Sequence, residues 1–384
     1  MGNAVIDETA AAERHSMIRK MVREFTEAEV APRAGDLDET EAFPADIYKR
    51  MAELGLFGIT VPSEHGGAGA DCRSYAIVME ELSRGYASVA DQCGLVELLG
   101  TLLSEHGTNE QRARYLAPLL LYNLRCAYAI TEPEAGSDVS GVRTTAVRTR
   151  DGWQLDGEKI WIHNAPVADF AAVLARTDPQ AGRRGMSIFL VDTSLQGVTR
   201  GKKEPKMGQR ASQVGSLTFE SVHLSADALL GQEGRGFHMM MSVLDKGRIG
   251  IAALAVGILQ DALDESVSYA KTRRQFGSAI SDFQGVQWML ADMAKATHAA
   301  RLLVENAAQR IDGGEKATLY CSIAKCFASD AAVEHTANAV QVHGGIGYIR
   351  GIGVERLYRD AKITQIYEGT NQIQRIIIAR KLLE

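Results

Sequence analysis

The chain has 384 residues, 46% hydrophobic and 23% charged, a length that predicts two or three packed units and a composition that excludes both a disordered polar chain and a membrane-embedded one. Its 42 basic and 48 acidic residues give a formal charge of −6, the wrong sign for a protein that coats nucleic acid or anionic lipid. Cys72, Cys93, Cys126, Cys321 and Cys326 are odd in number, with no CxxC and no histidine pair at zinc spacing, so a reducing compartment and no metal are expected.

The first thirty residues carry Asp7, Glu8, Glu13 and Glu24 and no apolar run, which argues against a secretory or transit peptide. No stretch approaches the roughly twenty apolar residues of a spanning helix. A cytoplasmic protein without membrane or nucleic-acid partners is expected. Met17, Met21 and Phe25, flanked by Ile18 and Val22, predict a helix over about 12–31 that Pro32 stops. Further helices are predicted over 45–54, 72–83, 89–105 and 108–121, the last opening on Thr108 and Gln111 at capping-box spacing. Pro62 to Ala70, with Gly66, Gly67 and Gly69, reads as a loop.

Near residue 125 the texture becomes β-rich: Thr144 to Thr149, an Asp151-Gly152 turn, Trp153 to Leu155, Phe170 to Ala175, Met186 to Val191 and Leu217 to Leu224. Strands joined by loops of this kind predict a compact antiparallel barrel or sandwich rather than βαβ units. From Gly236 helical spacing returns, as in Phe283, Val286, Leu290 and Met293, with Gly313-Gly314 closing one long helix. The fold class is thus multi-domain α+β: a helical domain over 1–124, a central β-domain over 125–232 and a helical bundle over 233–384.

By residue pattern alone the chemistry is thin. Gly344-Gly345-Ile346-Gly347 follows a helical stretch, not a strand, so a helix-ending turn is favoured over a Rossmann phosphate loop. Glu368 precedes a helix capped by Thr370, where an acid suits the positive end of the dipole. Arg200, Lys202, Lys203 and Lys206 read as a solvated loop. The nine histidines lack metal spacing.

Longer motifs carry more. Ala127-Tyr128-Ala129-Ile130-Thr131-Glu132-Pro133-Glu134-Ala135-Gly136-Ser137-Asp138 resembles the signature of flavin-dependent acyl-CoA dehydrogenases. So do Gly157-Glu158-Lys159-Ile160-Trp161, Leu244-Asp245-Lys246-Gly247-Arg248-Ile249, Arg273-Arg274-Gln275-Phe276-Gly277, Gln341-Val342-His343-Gly344-Gly345 and Tyr367-Glu368-Gly369-Thr370-Asn371-Gln372, in family order. The resemblance implies a C-terminal four-helix bundle, FAD as cofactor, a homotetramer and an electron-transfer flavoprotein as acceptor. It implies that the segment from Tyr128 to Ser137, with Ile130, Thr131 and Gly136, embraces the flavin ring together with Trp161 and His163. Arg273, Gln275, Phe276, Gln284, Gln341, Gly344 and Gly345 are implied as contacts to the rest of the cofactor, commonly across a subunit interface, with Thr370 and Gln372 adding to them. Ser137, Asp245, Arg248, Tyr367, Gly369 and Arg380 match positions that contact acyl-CoA; the other reading of Asp245 is an i, i+3 pair with Arg248.

The implied reaction is α,β-desaturation of an acyl-CoA thioester, with Glu368 as the base at Cα and hydride transfer from Cβ to flavin N5. An ordinary glutamate, with a pKa of about 4.3, is too weak a base, so burial beneath substrate is expected to raise it. Some relatives carry the carboxylate at the position of Gly247, which here cannot serve. The motif Asp-Lys-Gly-Arg-Ile-Gly-Ile resembles short-chain and branched-chain members, which implies a short acyl group. One departure stands out: His163 occupies a position where the family has Thr or Ser beside the flavin. Either the imidazole takes over that hydrogen bond or it turns aside and the main chain supplies it. On that account an oxidase, or a dehydrogenase of acyl groups tethered to a carrier protein, is the alternative. Glu97, on the helix that would line the acyl tail, either selects a polar acyl group or faces solvent.

Overall fold

The structure, a computed structural model, describes residues 8–384; the first seven residues of the N-terminal domain expected over 1–124 lie outside the described residues. Helices α1 (Glu8–Phe25), α2 (Ala34–Thr40), α3 (Ala45–Glu53), α4 (Cys72–Gly85), α5 (Ala87–His106), α6 (Asn109–Gln111) and α7 (Ala117–Leu120) come first. The expected helix over 12–31 is interrupted: α1 ends at Phe25 and the chain continues as a π turn, Thr26–Val30, and a 3-10 turn, Ala31–Arg33. Pro32 lacks an N–H and its ring crowds the preceding turn, so the helical register loosens ahead of the proline. The capping box at Thr108 and Gln111 is present.

The central strands are β1 (Cys126–Ala129), β2 (Thr145–Arg148), β3 (Gly152–His163), β4 (Phe170–Arg176), β5 (Met186–Asp192), β6 (Val198–Arg200), β7 (Val214–Ser225) and β8 (Leu229–Leu230). They form one sheet in the order β6-β7-β3-β2-β4-β5-β8, with β1 on β4. The antiparallel barrel or sandwich expected here is corrected to an open, mixed sheet, because β1 and β2 both pair with β4 in parallel. Strand periodicity reports which face is buried and is silent on direction. β1 and β2 follow one another along β4, at Phe170–Val173 and at Arg176, and the chain between them, 130–144, leaves the sheet and holds most of the long signature.

The C-terminal part contains α8 (Gly236–Thr272), a hairpin of β9 (Arg274–Gln275) and β10 (Ser278–Ala279), α9 (Gln284–Asp312), α10 (Thr318–His343), α11 (Gly353–Ile363) and α12 (Asn371–Leu383). Three long helices are thus completed by two shorter ones. Apolar residues of α4, α5, α8 and α10 share one core, including Val78, Met79, Leu99, Leu254 and Ala328, while the sheet has its own around Trp153 and Phe189. All five cysteines are buried and free. No described helix is long and apolar enough to cross a membrane.

Glu97 neither faces solvent nor meets an acyl tail. Fully buried on α5, it accepts hydrogen bonds from the backbone N–H of Ile59 at 2.7 Å and of Thr60 at 2.9 Å, and from the Thr60 hydroxyl. Three donors satisfy the carboxylate, which pins the loop after α3 onto α5.

Candidate active site

The turn between α11 and α12 is built to present Glu368. Glu368 (φ 52°) and Gly369 (φ 86°) both lie in the left-handed region, a conformation a glutamate adopts only when its surroundings enforce it. Gln374 Nε2 donates to the carbonyls of Glu368 and Gly369 at 3.1 and 3.0 Å. Lys325 Nζ on α10 donates to the Gly369 carbonyl at 2.8 Å and to Asn371 Oδ1 at 2.9 Å. Thr370 caps α12 by accepting from Ile373 N–H.

The helix-dipole role for Glu368 is therefore not the one realised, since Thr370 does the capping and the carboxylate points at α8. A Cβ placed on Gly247 would lie 2.7 Å from Glu368 Oε2 and 3.3 Å from Leu98 Cδ2. Oε2 is buried without a hydrogen-bond partner. Burial pushes the Glu368 carboxyl up to about 7; Arg248 and Lys325 pull downward and Asp91 adds to the rise. Arg248 Nη1 meets Asp245 Oδ1 at 2.5 Å, Thr318 Oγ1 donates to Asp245 Oδ2 at 2.6 Å, and Arg248 Nε has no partner. The intrahelical pair, the other reading of Asp245, is thus present, and Thr318 reinforces it.

The signature loop is tied to β3 by a buried ion pair. Lys159 Nζ lies 2.8 Å from Glu132 Oε1 and 3.0 Å from the Ile130 carbonyl, while Ile160 N–H donates to the Thr131 carbonyl at 3.0 Å. Glu132 also accepts from the N–H groups of Arg143 at 2.6 Å and Thr144 at 2.9 Å. Burial would raise the Glu132 carboxyl, but the Lys159 charge and these bonds outweigh it and hold the group below its usual range. Beside this loop β3 bulges between Lys159 and Ile162, and Trp161, at φ 54°, stands out of the sheet with 64% of its surface bare. Tyr128 is half-buried and its hydroxyl donates to the Met240 carbonyl of α8 at 3.4 Å, while Ile130 and Thr131 are half-buried and Gly136 and Ser137 exposed.

His163 ends β3. Its Nδ1 approaches Asp91 Oδ2 of α5 at 3.1 Å, and its Nε2 is buried without a partner. Burial pushes the imidazole down to about 3, with Lys206 acting the same way, and pushes Asp91 up to about 7 against Lys206 and Ser212. The contact is a neutral imidazole against a carboxyl, not an ion pair. The basic run expected as a solvated loop is in part structural: Lys206 Nζ donates to the Ser212 carbonyl at 2.6 Å and Lys203 Nζ to the Glu41 carbonyl at 2.7 Å. Tyr367 is half-buried, its hydroxyl receiving Gln209 Nε2 at 3.3 Å.

A second group of expected contacts gathers where the β9–β10 hairpin meets the end of α10. Tyr269 stacks on His343 at 4.3 Å, and Ala270, Ile280 and Val342 pack together. Arg273, Gln275, Phe276, Gln284, Gln341, Gly344 and Gly345 are all exposed there, Phe276 at 95%. Gln372 and Arg380 are exposed on α12. Sequence reasoning missed Asp91, Lys325, Gln374 and the Glu132–Lys159 pair. Asp91 had one signal, an acid within the apolar helix expected to line the acyl tail; the others have none without tertiary contacts.

Three family descriptions match successive parts of the chain: acyl-CoA dehydrogenase N-terminal domain over 12–121, middle domain over 127–222 and C-terminal domain over 234–383. A 3-(aryl)acrylate reductase of Clostridium sporogenes is 45% identical over 374 residues, 97% of this chain and 99% of its own. The caffeyl-CoA reductase-Etf complex subunit CarC of Acetobacterium woodii is 44% identical over 376 residues, again 97% and 99%. Butyryl-CoA dehydrogenase from Megasphaera elsdenii has the same fold, with a TM-score of 0.94 at 38% identity over 100% of both chains.

Proposed function

The chain belongs to the acyl-CoA dehydrogenase family of FAD-dependent oxidoreductases, and from that premise we propose that it interconverts a short acyl-CoA thioester and its α,β-unsaturated counterpart, with Glu368 as the base. The observation that carries the assignment is the buried, unpartnered Glu368 Oε2 beside Gly247. The residues present fit the cofactor: the bare indole of Trp161, the half-buried Tyr128 and Thr131 and the unpartnered His163 Nε2 supply one apolar face and polar edges. Bound FAD supplies the hydride acceptor. Glu368 removes the Cα proton, and its own backbone N–H, which has no carbonyl partner among the described residues, is available to the thioester oxygen. Arg248, fixed by Asp245 and with Nε unsatisfied, anchors the coenzyme's carbonyl-rich arm.

A carboxyl raised to about 7 acts as a base only once deprotonated, so kcat/KM should climb with pH through about 7 and fall roughly tenfold per unit below it. The effect on stability has the opposite sign. The folded protein keeps the Glu368 proton between about pH 4.5 and 7 while the unfolded chain loses it, so this group's contribution to stability declines as pH rises through that window. Asp91 and Asp360, also raised to about 7 by burial, act in the same direction.

Anaerobic bleaching of the flavin by saturated acyl-CoA esters of increasing length tests the reaction; butyryl-length esters should bleach it fastest, and failure of every ester would end this reading. The M. elsdenii neighbour supports the short chain, and the A. woodii relative, a subunit of an Etf complex, supports an electron-transfer flavoprotein as acceptor. Exposed Phe276, Trp288, Tyr348 and Ile349 support a homotetramer in which the hairpin contacts reach a neighbouring subunit's cofactor. Light scattering should then return four times the 41.6 kDa chain mass.

A further inference from the structure

Asp91 is a carboxyl that the mechanism above does not use. Among the described residues the only basic group at ion-pair distance is the neutral His163. The Asp91 side chain is 14% exposed and that of His163 16%, so neither is fully sealed. Beside Asp91, Ser212 is 1% exposed and its hydroxyl has no partner by hydrogen-bond geometry. A desolvated carboxyl next to a polar atom without a partner is costly unless something completes the set.

The position of Asp91 says what could. Asp91, Leu95 and Leu98 follow one another at helical spacing of four and three and lie along one face of α5, rising about 10 Å from first to last. Leu98 marks the Glu368 end of that face, since its Cδ2 and Glu368 Oε2 converge on the same point over Gly247. Asp91 marks the other end, with apolar Leu95 between. At that end the Asp91 carboxylate lies 3.1 Å from His163 Nδ1, and His163 Nε2 is buried without a partner.

We propose that Asp91 is a specificity-determining residue of the acyl pocket, and that it receives the hydrogen-bond donor of an acyl group carrying a hydroxyl or a protonated amine at its distal end. This rests on the function proposed above. A plain alkyl chain would cover what remains exposed of the carboxyl and replace none of the water it loses, whereas a donor would replace it; sites built to bind a polar group reject the analogue that lacks it far more strongly than apolar pockets reject an extra methylene.

The test compares 4-hydroxybutyryl-CoA and 4-aminobutyryl-CoA with butyryl-CoA on the FAD-loaded protein by anaerobic flavin bleaching. Their dissociation constants are measured in parallel by calorimetry on Glu368→Gln. At least one donor-bearing ester should be preferred by about tenfold or more in both readouts, and the better of the two identifies the donor. Asp91→Val should erase the preference by improving butyryl-CoA, and Asp91→Leu, which likewise carries no acceptor, serves if the valine variant fails to fold. Butyryl-CoA matching or exceeding both polar esters would overturn the proposal and leave the dehydrogenase reading standing. Equal loss for all three esters in Asp91→Val would also overturn it, reducing Asp91 to a support for His163. If no ester bleaches the flavin, both readings fall.

Discussion

Glu368→Gln is expected to lower turnover by about 10³-fold while the protein keeps its fold, its flavin and its affinity for acyl-CoA. The substitution preserves volume and the left-handed turn, whose geometry is held by Gln374, Lys325 and Thr370 through main-chain and capping bonds that do not involve the carboxylate. What disappears is the proton acceptor. Rapid-mixing absorbance measurements separate the outcomes: a charge-transfer or perturbed flavin spectrum without bleaching supports the assignment, and bleaching at the parent's rate refutes it. A second variant sharpens the point. The Cβ position on Gly247 lies 2.7 Å from Glu368 Oε2, so a carboxylate grafted from α8 reaches nearly the same place. Gly247→Glu combined with Glu368→Gly should recover part of the lost rate. No recovery would mean that the Glu368 backbone and its approach angle matter as much as its charge.

Lys159→Met should cost about 3–5 kcal/mol of stability, the largest loss expected of a single substitution here, because it leaves the Glu132 carboxylate buried without its cation. Two backbone N–H bonds to Glu132 remain, from Arg143 and Thr144, but the tie from Lys159 to the Ile130 carbonyl is lost with the ammonium. The segment freed is the one carrying Thr131, so the variant should also release FAD more readily, which fluorescence of the liberated flavin would report. Adding Glu132→Gln to Lys159→Met removes the stranded charge and should restore part of the stability in urea unfolding. An unchanged midpoint in the single variant would show that the pair contributes nothing net.

The path from sequence to site was uneven, for reasons visible in particular residues. Helix rhythm located α3, α4, α5, α8 and α9 because each buries an apolar stripe that recurs with the helical period. Strand alternation located β4, β5 and β7, yet it could not reveal the parallel pairing of β1 and β2 with β4, which depends on chain direction. Glu368, Trp161 and Thr131 could be named because they lie inside long motifs. The fate of Glu97 could not, since an acid on an apolar helix looks the same whether it meets a ligand, water or the N–H groups of Ile59 and Thr60.

Composition and periodicity by themselves determined a helix-strand-helix chain, and the resemblance of its motifs implied a flavin site and a carboxylate before the last helix, since those properties are local and survive in a linear string. Which charges meet was decided only in three dimensions. Lys159 finds Glu132 across 27 residues, and Asp91 on a helix finds His163 on a strand. Glu368, on the turn before α12, comes to rest against Gly247 of α8. Burial then sets their protonation, because desolvation depends on what the fold places around a group and not on its neighbours along the chain.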